Sequence, residues 1–286
     1  MLRSFMASMA LLLPLWLWGC GDDNLPDYVQ LGDLRILAMK ANLPEVNPAE
    51  ALTVTVTPVV SDLKKGRALT YSAEACADPG VGLGASPSCT GRPDRVVLAT
   101  NASVPSLDTV KKTFTGTAPA LSFLVPATVF LGRSAADQLA GVAYLVVYTL
   151  TATDATTGAT EALTAFKRVI ASTTSAGNRN VNPAVNQVKA GDVTLLAYLG
   201  TLQFPGSGGT PVKSTLTVEL DSATLQNETV TVTWFITDGS VKRFRTLGSD
   251  PNSWDAPVVR PSARSIAFVV VARDERGGED FEIIEQ

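Results

Sequence analysis

The stretch Leu52-Thr53-Val54-Thr55-Val56-Thr57-Pro58-Val59-Val60 alternates apolar and hydroxyl side chains with a period of two. That period puts Val54 and Val56 on one face of a pleated strand and Thr53, Thr55 and Thr57 on the other. A strand so patterned has one face inward, and it needs partner strands to cover it. The pattern recurs in the second half of the chain: Ser214 to Leu220 alternates in the same way, and Glu228 to Thr237 is a further strand. Charged residues are only 17% of the 286, and Thr, Val, Ala and Ser dominate, which suits half-buried strands better than surface helices. The expected fold class is all-β. The length fits about two domains, each able to bury its own core.

Taken in order, Leu34 to Ala41 reads as a strand, followed by a turn punctuated by Pro44 and Pro48. After the Thr/Val strand, Leu69 to Cys76 is the next one, with Tyr71 as its large aromatic. Val96–Leu98, Lys112–Phe114 and Leu121–Val125 are shorter strands, and Ser134 to Ala140 is helix-like, with Ser134 as N-cap and Asp137 three residues on. Val142–Ala152 and Ala162–Ile170 form a hairpin about the turn Asp154 to Gly158, closing a first domain at residues 33–171. Residues 172–183 are small, polar and poor in apolar side chains, the composition of a linker. In 184–286, Val193 to Tyr198 is strand-like and Trp234 is expected in the core. Ser265–Arg273 and Asp280–Glu285 form a closing hairpin around Asp274 to Gly278. Two final hairpins with the same Asp-to-Gly turn, a domain apart, argue for a tandem.

The N-terminus has a different character. Arg3 precedes an apolar run from Phe5 to Trp18, broken by Pro14 and too short to cross a bilayer comfortably. This is a secretory signal pattern. Its end, Leu17-Trp18-Gly19-Cys20, resembles the lipobox of bacterial lipoproteins, although Trp18 is bulkier than is usual there. The resemblance implies cleavage after residue 19, a lipid on Cys20, and a polar tether over 20–32. A plain secretory signal with an incidental cysteine is the other reading. Gly21 rather than Asp follows the cysteine, which by resemblance to enterobacterial sorting favours the outer membrane.

The succession of strand, proline turn and Thr/Val strand resembles the opening strands of immunoglobulin-like domains in bacterial surface lipoproteins. With Tyr71 on strand C and the 142–170 hairpin as strands F and G, the resemblance implies two immunoglobulin-like β-sandwiches, as in tandem-sandwich lipoproteins of the Gram-negative envelope. Tyr71 stands in place of the tryptophan of antibody domains.

With Cys20 set aside, Cys76 and Cys89 remain as a pair flanking a Gly/Pro/Ser-rich loop. In an exported chain the default is a disulfide, and the alternative is two free thiols. The chain contains no histidine, which removes Ser-His-Asp and Cys-His nucleophiles and the usual zinc and non-haem iron sites. Ser61 and Lys64 match S-x-x-K, but S-D-N and K-T-G are both missing. Of 23 Lys and Arg, Arg3 lies in the signal, leaving 22 against 27 acids and no basic footprint for nucleic acid.

Two surface features remain. Lys242, Arg243 and Arg245, with Trp254 nearby, make either a basic-aromatic ligand surface or an edge strand guarded by cations. Asp274, Glu275, Glu279 and Asp280 on one hairpin end make either an oxygen-rich calcium loop, with Asp274, Glu275 and Asp280 as its ligands, or solvated turn charges. No cofactor is indicated. The expected function is a non-enzymatic, membrane-anchored binding or scaffolding module for a protein or glycan of the envelope. The alternatives are a passive spacer and, behind it, a carboxylate-dependent glycosidase.

Overall fold

The computed structural model describes residues 28–81, 85–105, 114–262 and 264–286. Both halves are antiparallel β-sandwiches. The first contains β1 (Arg35–Ala41), β2 (Glu45–Val46), β3 (Thr53–Asp62), β4 (Arg67–Ala77), β5 (Val96–Ser103), β6 (Phe114–Thr117) and β7 (Leu121–Leu124). Helix α1 (Ala135–Ala140) and the long hairpin β8 (Val142–Asp154) and β9 (Thr160–Ala171) complete it. The second contains β10 (Val185–Ala190), β11 (Val193–Thr194), α2 (Leu195–Thr201), β12 (Lys213–Leu220), β13 (Thr231–Ile236) and β14 (Ser240–Val241). It ends with β15 (Arg245–Leu247), β16 (Asn252–Asp255), β17 (Ala267–Arg273) and β18 (Glu279–Glu285).

The strand order is immunoglobulin-like in both. In the first domain β1-β3-β6, with β7 also on β3, faces β2-β9-β8-β4-β5, and the short β2 runs parallel to β9. In the second, β11-β10-β12-β16-β14 faces β15-β13-β17-β18. Read as lettered strands, these are the A-B-E and C-F-G sheets of a Greek-key sandwich. Tyr71 lies in the first core, stacked on Tyr148 with ring centroids 5.3 Å apart. Trp234 is wholly buried in the second, its Nε1 donating to Thr246 Oγ1 at 3.1 Å. Both final hairpins use one device. Asp154 accepts from the amides of Thr156 and Thr157, and Asp274 from those of Arg276 and Gly278. Each carboxylate thus replaces a missing turn partner.

The sandwiches are not beads on a string. On β13, Val232, Trp234 and Ile236 enter the second core while Phe235 points to the opposite face. On β17, Phe268, Val270 and Ala272 do the first and Val269 and Val271 the second. That opposite face, with Phe281 and Ile283 of β18, packs on Leu37, Ala38 and Val59 of the first domain and on Leu31. An additional core therefore joins the two domains.

Three expectations change here. Val193 to Tyr198 is mostly helix: Thr194 caps α2 through Ala197 N, and Leu195 and Leu199, four apart, bury one face. The 20–32 tether is shorter than its composition suggests. Leu31 N donates to Ile236 O at 2.6 Å and Ile236 N to Val29 O at 2.9 Å, so residues from 29 on are tied to the second domain. The linker residues 172–183 are also fastened. Arg179 is bidentate on Glu50, Asn180 N donates to Glu45 Oε2 at 2.8 Å, and Asn182 Nδ2 donates to Ala41 O at 2.7 Å.

Candidate functional site

Since the second domain covers part of the β1–β3 face, the open sheet face of the first domain is the outer side of β5-β4-β8-β9. Alternation along β8 sends Tyr144, Val146, Tyr148 and Leu150 into the core and leaves Leu145, Val147, Thr149 and Thr151 facing out. Outward apolar residues need a cover, and the loop after β4 supplies it. Cys76 and Cys89 form a disulfide with Cα atoms 5.8 Å apart, and both sulfurs sit in a small cluster with Leu145, Val147 and Val81.

Polar contacts fasten this loop at several points. Glu74 Oε1 accepts from Cys89 N at 2.7 Å and its Oε2 from Arg95 Nε at 2.6 Å. Asp94 Oδ2 accepts from Ala77 N at 2.6 Å, and Asp78 Oδ2 from Arg168 Nε at 2.5 Å. Where the loop stops, an open groove of about 350 Å³ remains. Ser72, Thr149 and Thr164 line its floor, Ser88, Thr90 and Arg95 one wall, and Val97 and Thr100 the other. Thr149 and Thr164 hydroxyls bond each other at 3.1 Å across β8 and β9. Asn101, at φ 46°, turns its N–H to Ser72 Oγ at 3.0 Å, bulging the edge strand β5. Val97 is 54% exposed and Phe166 38% exposed, with the Arg168 guanidinium 4.8 Å over the Phe166 ring. The surface offers hydroxyls, two ion-paired guanidiniums (Arg95 and Arg168) and exposed apolar edges, the ingredients of a recognition site.

No family model and no curated sequence matches the chain. Among solved structures, the chain is similar over 88% of its length to red sea bream transglutaminase, at 11% identity and a TM-score of 0.22, spanning 31% of that chain. It is similar, also over 88%, to the D00–D0 domain of intimin, at 10% identity and a TM-score of 0.22, covering 98% of that chain. Neither likeness carries a functional argument. The fold assignment stands on the strand order.

Of the residues singled out by sequence, Cys20 lies outside the described residues, as do the signal segment and most of the tether. Trp254 corrects the ligand-surface expectation: it is wholly buried, its ring edge-on to Phe268 at 5.1 Å and its Nε1 donating to Asp238 O at 3.1 Å. On β16, Asn252 and Trp254 share the inward face, so the tryptophan belongs to the core. Lys242, Arg243 and Arg245 are exposed.

At the acidic hairpin end, Asp280 and Asp274 are engaged by other groups of the chain. Asp280 pairs with Lys40 at 2.5 Å and accepts from Val185 N at 2.9 Å, and Asp274 is occupied by its own turn. Glu275 stands apart and exposed, and among the described residues no three acids gather as a metal site. Glu279 is one of the acids that the sequence places at this hairpin end, but its partner between the domains, Lys167, is not foreseen there. No local pattern marks a pair separated by more than a hundred residues.

Proposed function

We propose that this chain is a lipid-anchored envelope protein whose first domain binds a protein or glycan partner, without catalysis, in the groove beside the disulfide loop. The observation that carries this is the loop itself: a covalent bond, two ion pairs and buried apolar contacts fasten its described residues against the outer sheet face. Pre-organised polar groups lower the ordering cost of binding, which is what a recognition surface needs and a passive spacer does not. The glycosidase alternative lacks support, because Glu279, Asp280 and Asp274 are occupied by cations and backbone amides at the domain junction. Anchoring through Cys20, with the outer membrane as destination, rests on the signal pattern.

The test is binding by the mature protein to a glycan array and photo-crosslinking in intact envelopes, with Thr149→Arg/Thr164→Arg filling the groove floor. Loss of the same ligand with this variant, and retention with Thr217→Arg on the second domain's outer sheet, is the expected result. Equal binding by both variants would sink the groove as the site.

A further inference from the structure

The cationic turn of the second domain lies where the chain arrives from its anchor. Tyr28, the first described residue, places its ring 6.3 Å from that of Phe244, and its carbonyl accepts from Arg35 Nη1 at 2.8 Å. Phe244 in turn carries the Arg245 guanidinium 5.1 Å from its centroid. The turn is held rigidly: Asn252 bonds both Arg243 N, at 3.1 Å, and Arg243 O, at 2.8 Å, and Lys242 N donates to Ser253 O at 2.8 Å. Lys242, Arg243 and Arg245 project from it, exposed, and among the described residues no carboxylate pairs with them. Asp238 and Asp33 are taken by Arg264 and Lys64, and Asp250 is exposed beyond the turn. Two large apolar side chains flank the cations in water, Tyr28 at 57% and Leu247 at 56% exposure.

We infer that this patch, Tyr28, Lys242, Arg243, Arg245 and Leu247, is a membrane-docking face that lies on an anionic bilayer surface. The inference rests on the anchor at Cys20. Residues 21–27 separate that cysteine from Tyr28, so Tyr28 stays within about 28 Å of the lipid attachment even at full extension. Cations beside an aromatic and an aliphatic side chain form the combination that suits a headgroup layer, where the charges meet lipid phosphates and the apolar tips enter the boundary. The acids of the connecting segment, Asp22, Asp23 and Asp27, would satisfy the cations alone. They leave the exposed Tyr28 and Leu247 without a counterpart, which favours the bilayer.

The test uses the full lipidated protein in phosphatidylcholine vesicles containing about one-third phosphatidylglycerol and a headgroup-nitroxide lipid. A fluorophore is placed at Ser249→Cys, beside the patch, or at Ala136→Cys on α1, at the end of the first domain away from the start of β1. Docking predicts quenching at 249 and not at 136, lost at about 0.5 M salt. Each cation near an anionic surface strengthens association about five-fold, so Lys242→Gln/Arg243→Gln/Arg245→Gln lowers the docked-to-free ratio about a hundred-fold. Should that variant fail to fold, the salt titration of the unsubstituted patch decides.

Equal quenching at both labels, or quenching unchanged in pure phosphatidylcholine, overturns the inference. So does quenching at 249 that appears only after Asp22, Asp23 and Asp27 are changed to Asn, which would give the patch to the chain's own segment. Intact mass of the mature protein tests the anchor separately. If Cys20 carries no lipid, the anchor reading fails, and the same labelled chain added to vesicles still reports on the patch.

Discussion

Lys167 of the first domain meets Glu279 of the second at 3.2 Å, with both side chains almost fully buried. Lys167 Nζ also donates to Gly277 O at 2.7 Å, while Glu279 accepts from Met39 N at 3.2 Å and pairs with Arg273 at 2.7 Å. Burial holds the Lys167 ammonium below its ordinary range, and the Glu279 charge works against that. The asymmetry of this pair sets a first prediction. Glu279→Ala strands a buried cation and should cost about 3–5 kcal/mol, whereas Lys167→Met leaves Glu279 with Arg273 and Met39 and should cost less. Urea midpoints of the two variants check it. Equal losses would mean that Glu279 is not what compensates Lys167.

Glu282 gives a pH dependence with a defined sign. Burial raises its carboxyl above the ordinary 4.5, opposed by a bond from the Val188 backbone. The folded protein therefore keeps a proton that the unfolded chain releases, and its stability falls as pH rises through the window that opens at 4.5. Glu282→Gln removes this slope and should be the more stable protein at neutral pH. Melting temperatures of both proteins on either side of that window measure it. Parallel curves would remove Glu282 from the account.

The strands were legible in the sequence and the third core was not. Thr53 to Val60 alternates because its outer side is only partly covered, so a period of two showed directly. Ala267 to Ala272 is buried at every position, because β17 has a core on each face, and such a run carries no alternation to interpret. An unbroken Phe-Val-Val-Val in an antiparallel hairpin was the available sign that something else packs there. Trp254 was misplaced because Asp250, Pro251, Asn252 and Ser253 before it look like a surface turn, while Asn252 in fact spends its amide on Arg243. The polarity of 172–183 pointed to a linker. Arg179 and Asn182 are polar because their side chains bind Glu50 and the Ala41 carbonyl of the first domain, while Asn180 turns its side-chain amide to Asp274 of the second.

Gly239 is fixed by its neighbours. It sits at φ +81°, and a Cβ there would lie 2.4 Å from both Trp254 Nε1 and Asp255 O. The left-handed backbone alone costs a side-chain residue about 1–3 kcal/mol, and the contact adds to that. Gly239→Ala should lower stability by more than Gly158→Ala, where φ is +72° and nothing lies within 4 Å. Thermal unfolding of the two variants separates strain from overlap, and equal shifts would leave the Trp254 contact without weight.

The disulfide makes the last prediction. Cys76 and Cys89 are 13 residues apart, and closing a loop of that size is worth about 3 kcal/mol in the chain-entropy account. The native loop is also held by Glu74, by Asp94 and by Asp78 with Arg168, so reduction should loosen it locally without unfolding the sandwich. Its apolar footing is small, little more than Leu145, Val147 and Val81. In Cys76→Ser/Cys89→Ser, amide exchange should accelerate over 77–95 while the Tyr144–Leu150 amides of β8, deep in the first core, stay protected. Because Ser88 and Thr90 form one wall of the groove, the same variant should weaken ligand binding there more than it lowers the melting temperature. Global loss of protection would show that the bond holds the domain itself, and unaltered binding would show that the loop is no part of the recognition surface.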